Sequence, residues 1–442
     1  MQTTDMQDNA LTGASASSAL AYSSALEQLS NYAGDPLGIA NSLIKSDPGF
    51  VMAHVFKAWL FLLGTDAKAV APARAIVARA ASLAASPRER GHISALNALT
   101  EGKFHVAAQI MEDVNADHPR DLLGLIAGHQ LDFFTGNSRM LRDRISRAMP
   151  YWSKDVPGYH AMLSMHAFGL EEMGEYGRAE DKARQALDLQ RFNGWARHAV
   201  AHVMEMQGRH EEGIRFMRDD IESWTQGSFF SVHNWWHLAL YHLEIGDHAE
   251  VLKLADGPIL NAEDGSMIDL IDASALLWRL NLRGIDAGNR WAELAKRYEA
   301  KWVPGYYAFN DLHAVMAFLG AGRKDLIEAT LAAQEKVQSD NVLFAGDVGL
   351  PLMQGFIAFH QGNHARALNL MRPVRNIASR FGGSHAQRDI IDLTMLEAAL
   401  RSGDVARARG LAAERAHAKH DSPLAALFAK RSGLHQVQLK AA

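Results

Sequence analysis

The sequence predicts an all-α protein, a stack of about ten helix–turn–helix repeats wound into one superhelix. Three observations predict it. A glycine recurs between amphipathic stretches, at Gly64, Gly102, Gly136, Gly174, Gly208, Gly246, Gly284, Gly322, Gly362 and Gly403, with gaps of 34 to 41 residues. Apolar residues follow i, i+3, i+4 spacing along most of the chain, while β-branched runs with hairpin turns are scarce. Small residues keep step with the glycine: Ala107, Ala179, Ala367 and Ala408 each stand five positions after one.

Each element has a physical reason. Glycine adopts the left-handed C-cap conformation without a Cβ clash, so it suits the turn between two helices. The alanines let the second helix approach the first. Phe104 and Tyr176, two residues after their glycines, supply a repeated aromatic, and Pro119 stands where the helix after Gly102 must stop. Met165–Leu189 is the clearest single unit. Together these features specify the tetratricopeptide type, whose superhelix is right-handed and closes on itself after roughly eight units. Residues 1–20 read as a flexible arm, 21–421 as the solenoid and 422–442 as a C-terminal capping helix and tail. The connections 257–268 and 376–389 are longer than a minimal repeat needs, and extra loop length often sits beside function.

Composition narrows the function. Hydrophobic residues are 48% and charged residues 21% of the 442, with a formal net charge of −5, so no basic field exists to hold nucleic acid or an anionic membrane. Cysteine is absent, which removes disulfides, thiolate metal sites and a cysteine nucleophile and fits a reducing cytoplasm. The N-terminus carries Asp5 and Asp8 where a secretion signal needs basic residues, and no uninterrupted apolar run is long enough for a membrane span. A cytoplasmic protein is expected.

In this architecture the first helix of each pair lines the inner surface. Here that stripe carries Trp195, His198, His202 and Glu205, then His233, Trp236, His237 and Glu244, then Asp269, Asp272 and Trp278, then Phe309, Asp311 and His313. Peptide-binding grooves of this kind are usually lined by Asn, Lys and Arg. Two i, i+4 histidine pairs, His198/His202 and His233/His237, bring imidazoles to one face of neighbouring helices, a spacing suited to Zn, Fe or Mn. The same groups without metal suit general acid–base work, with His202 or His237 as base and Glu205 or Asp272 orienting it. Trp195, Trp236 and Trp278 would wall a ligand. The competing reading is packing, since a first-helix histidine is more often a hydrogen-bonded core side chain than a ligand.

Gly382–Asp389 is a second constellation. Ser384 and Gln387 form a capping box, so a helix starts there. Gly383 and Ser384 ahead of that helix, with His385 and Arg388, could hold a carboxylate or oxyanion.

The segments Glu171–Gly174, HAVAHVMEMQG from His198, HNWWHLALYHLEIG from His233, SALLWRL from Ser274 and GGSHAQRD from Gly382 resemble the tetratricopeptide repeat protein 38 family. The resemblance runs from about residue 50 to 430 and is weak over 120–160 and the N-terminal units. It implies the helical-repeat fold and names no activity. Two functions are carried forward. One is an interior pocket for a small molecule, with hydrolase or lyase chemistry if it is an enzyme. The other is a scaffold that takes a peptide or protein in its groove. No phosphate loop, nucleophile elbow or dinucleotide fingerprint is present.

Overall fold

The computed structural model describes residues 3–261, 265–337, 342–419 and 421–434. It is all-α. Among the described residues the only extended pairings are two isolated bridges, Thr4 with Ala10 and Ala33 with Ser228, and no helix is long and apolar enough to cross a membrane. Each predicted turn glycine separates two helices, as Gly174 separates Tyr159–Glu171 from Tyr176–Leu189. Nine of the ten have positive φ. The residue after the glycine donates to the carbonyl five positions back, as from Glu175 to Leu170 and from Asp247 to His242, which closes a Schellman turn. Gly64 is the exception: Thr65 takes the left-handed position there, with φ 52°. Gly34 (φ 80°) makes a further turn between Ala16–Asn31 and Pro36–Ser46, so the described residues hold eleven pairs, not ten.

The two helices of a pair differ in kind. Second helices are amphipathic, and Tyr176–Leu189 buries only the stripe Ala179, Ala183 and Ala186. First helices are buried nearly all round; Ser231–Ile245 buries eleven of its side chains, His233, Trp236 and His237 among them. The groups expected on the inner surface are therefore buried.

The chain forms two compact units. One comprises residues up to Val200 together with Asp220–Ser231; the other comprises Ala201–Asp219 and the chain from Val232 onward, apart from a few residues outside the described set. The helix Gly194–Met206 contributes to both.

In the first unit the pairs curve back on themselves. Tyr32, after the first helix, stacks on Trp195 at 5.2 Å, and its carbonyl accepts from Phe229 N–H at 3.0 Å. The N-terminal segment, expected to be a flexible arm, packs here. Arg88 donates to the Ala10 carbonyl (2.9 Å), Gln7 to that of Pro157 (2.8 Å) and Asn9 to that of Arg120 (3.1 Å), and Leu11 is buried.

The second unit also returns on itself. Arg401 donates to the Leu282 carbonyl at 3.1 Å, and Leu424 N–H donates to Glu244 at 3.2 Å. The helix Pro423–Arg431 is the last element described; the tail from 435 and part of the long 257–268 connection lie outside the described residues.

Candidate functional site: a buried histidine–carboxylate cluster

In the second unit, residues of three helices converge as a cluster of imidazoles and carboxylates. Gly194–Met206 carries His202 and Glu205, Ser231–Ile245 carries His233, Trp236 and His237, and Met267–Leu282 carries Asp272 and Arg279. Helical spacing places His233 and His237 one turn apart on one face. His202, His233 and His237 each offer a ring nitrogen within 4.8 Å of the others. The His202 and His237 rings lie 4.5 Å apart, and those of His233 and His237 4.9 Å.

Each histidine of the Ser231–Ile245 helix has its own carboxylate. His233 Nδ1 meets Asp272 Oδ2 at 2.8 Å, and His237 Nδ1 meets Glu205 Oε2 at 3.2 Å. With the proton on Nδ1 facing the carboxylate, each ring presents Nε2 as the lone-pair nitrogen. Burial first, then the positive potential of His202, His233 and Arg279, pushes His237 well below the ordinary histidine value, so it is neutral at pH 7. Burial likewise raises the Asp272 carboxyl, although His233 and Arg279 oppose the rise.

Reasoning from sequence missed Arg279, the cation beside this cluster. It is 3% exposed, lies over the Trp236 ring at 5.3 Å, and donates to the Ala386 carbonyl at 2.7 Å. It thereby ties the Met267–Leu282 helix to the helix His385–Arg401. A charged residue inside the apolar run LLWRL was the available signal. Lys419, also missed, stands 3.8 Å from both Glu205 and Asp389. Burial would raise the Asp389 carboxyl, but Arg415, Lys419 and Arg279 together hold it well below the usual carboxylate range. Beside these charges lies a cavity of about 20 Å³, bordered by Glu205, His210, Glu244, Arg279, Asp389 and Lys419. That volume holds about one water.

The Gly382–Asp389 segment does reach this neighbourhood, through Ala386 and Asp389, but not as an anion cradle. Ser384 and Gln387 satisfy each other's backbone N–H groups in the expected capping box, at 3.2 and 3.0 Å. Arg388 turns back onto the carbonyls of Gly382 and Gly383. A Cβ at Gly383 would stand 2.4 Å from the Phe309 ring, so this glycine allows a close approach. His385, partly exposed, starts the helix.

The remaining candidates meet other side chains and backbone groups of the protein. Trp278 donates to the Thr394 hydroxyl and packs on Phe356. Asp311 accepts from Trp302, Gly305 and Gln334, and His313 pairs with the Phe309 carbonyl at 2.8 Å. In the first unit, Trp195 and His198 belong to an aromatic cluster with Phe168 and Phe230.

No family model matches the chain. Among solved structures, the human IFIT1 dimer with m7Gppp-AAAA aligns at 12% identity over 96% of this chain and 94% of that one, with a TM-score of 0.42. Yeast Tom70 aligns at 11% identity over 96% and 88%, with a TM-score of 0.33. At these scores the likeness assigns neither ligand nor partner.

Proposed function

We propose that this protein uses a tetratricopeptide-like repeat array as the frame for an interior site that binds a small molecule and acts on it by acid–base or metal-assisted chemistry of the hydrolase or lyase kind. The observation that carries the reading is the pair of buried dyads, His233–Asp272 and His237–Glu205. Burying carboxylates and imidazoles together costs free energy that an apolar core would avoid, and such groups gather where chemistry needs them. In the metal-free chemistry His237 is the base and Glu205 holds its tautomer; Asp272 does the same for His233. Arg279 replaces Arg388 as the cation beside the dyads. The resemblance to the tetratricopeptide repeat protein 38 family supports the choice of residues, because both dyad histidines fall in its HNWWHLALYHLEIG segment.

The test is a thermal-shift panel of small carboxylic acids, amides and esters on the wild type, His237→Gln and Asp272→Asn. A compound that stabilises the wild type and neither variant supports the reading. Compounds that shift all three alike, or stabilisation by peptides only, would overturn it in favour of the scaffold.

A further inference from the structure

We infer that His202, His233 and His237 hold one divalent transition-metal ion, zinc foremost. The inference rests on the reading of the dyads as the protein's site and adds the cofactor to it.

The geometry supplies both shells of a metal centre. Three imidazoles converge from two helices, with ring nitrogens within 4.8 Å of one another. Ligands around one zinc ion lie about 2.0–2.1 Å from it, which puts them roughly 3.4 Å apart. Ring shifts of about 1 Å therefore close the site, well within rotamer freedom. A ligating histidine usually donates its other ring N–H to a carboxylate, which fixes the tautomer and raises the basicity of the ligating nitrogen. Asp272 and Glu205 occupy that place for His233 and His237.

Charge points the same way. Asp272 is fully buried, and its Oδ1 has no hydrogen-bond partner among the described residues. A dication on the far side of each imidazole adds positive charge to the two carboxylates, Asp272 near Arg279 and Glu205 at 3.8 Å from Lys419. The donor set, imidazole nitrogen without thiolate, selects a borderline metal such as Zn²⁺ over Mg²⁺ or Ca²⁺. Three histidines leave a coordination position for water or substrate, the arrangement of catalytic rather than structural zinc.

The experiment uses the full chain, with any polyhistidine tag removed, stripped with chelator and dialysed. Zinc is added back and counted by elemental analysis, and Co²⁺ serves as the optical probe. The wild type should retain one equivalent of zinc and give the intense visible bands of a four-coordinate cobalt site. His202→Ala and His237→Ala should lose the bands. Asp272→Asn, which keeps the ligands and should keep the helical circular dichroism, should weaken cobalt affinity about 10–100-fold. Substoichiometric zinc in a folded wild type, or unchanged cobalt binding in folded His237→Ala, would overturn the inference. Absence of metal with a dyad-dependent small-molecule response intact sinks only the metal. Metal binding without any such response sinks only the proposed chemistry.

Discussion

Trp278 donates its indole N–H to the Thr394 hydroxyl at 3.0 Å, and Thr394 donates in turn to the Ile390 carbonyl at 2.7 Å. The pair joins helices 116 residues apart in sequence and lies in the second unit's interior. Thr394→Val keeps the shape and removes the acceptor. The indole N–H then stays buried and unpaired, so stability should fall by about 1–3 kcal/mol. Urea unfolding followed by tryptophan fluorescence checks it; an unchanged midpoint would show that the bond does not bear on the fold.

The turns make a paired prediction. Gly246 has φ 84° with open space where a Cβ would stand, so Gly246→Ala costs only left-handed strain, about 1–2 kcal/mol. Gly64 lacks positive φ, and the nearest neighbour of an added Cβ would be the Phe61 carbonyl at 3.8 Å. Gly64→Ala should therefore be neutral or stabilise by up to about 1 kcal/mol, through the unfolded chain. Chemical denaturation of both variants decides, and the opposite order would contradict the turn assignment.

In the first unit, Asp121 is buried between Arg88 at 3.0 Å and His92 at 2.7 Å, and Trp59 donates to His92 from the other side. Arg88→Met removes the guanidinium from that buried carboxylate, leaving it His92 and the Gly124 N–H, and also releases the Ala10 carbonyl. The expected loss is about 3–5 kcal/mol, with earlier proteolysis of the N-terminal segment. A loss below about 1 kcal/mol would mean the ion pair is not what holds the segment.

Asp311 carries a pH prediction. Burial pushes its carboxyl up to about 7 from 3.8, although Gly305, Trp302 and Gln334 donate to it. Between those values the folded chain keeps a proton that the unfolded chain has released. Its contribution to stability is therefore present below about pH 4 and is lost as pH rises towards 7. Asp311→Asn should flatten the wild-type decline across this window, as measured by urea midpoints at several pH values. Parallel wild-type and variant profiles would contradict it.

How legible this was in the sequence depended on how local the cause is. A turn glycine answers to its own backbone, so the ladder was readable from spacing, and only Gly34, outside the 34–41 interval, escaped it. Histidine pairs at i, i+4 were readable for the same reason. Which carboxylate each imidazole meets was not, because Asp272 and Glu205 come from other helices. Gly383 shows the limit most clearly. Its neighbours suggested an anion cradle, whereas its partner is the Phe309 ring, 74 positions away in the chain. Trp278 and Asp311 stood on the expected stripe, but a stripe does not say whether a side chain meets a ligand or another helix.

The central claim is that His233 and His237 face their carboxylates through Nδ1 and present Nε2 to the cluster. Histidine-selective ¹⁵N NMR of the full, metal-free chain, assigned with His233→Gln and His237→Gln, tests it directly. Both rings should be Nδ1–H tautomers, and His237 should stay neutral where an ordinary histidine would already be protonated, with zinc then moving the Nε2 resonances. Nε2–H tautomers, or a His237 that titrates near the ordinary value of 6.5, would contradict the account.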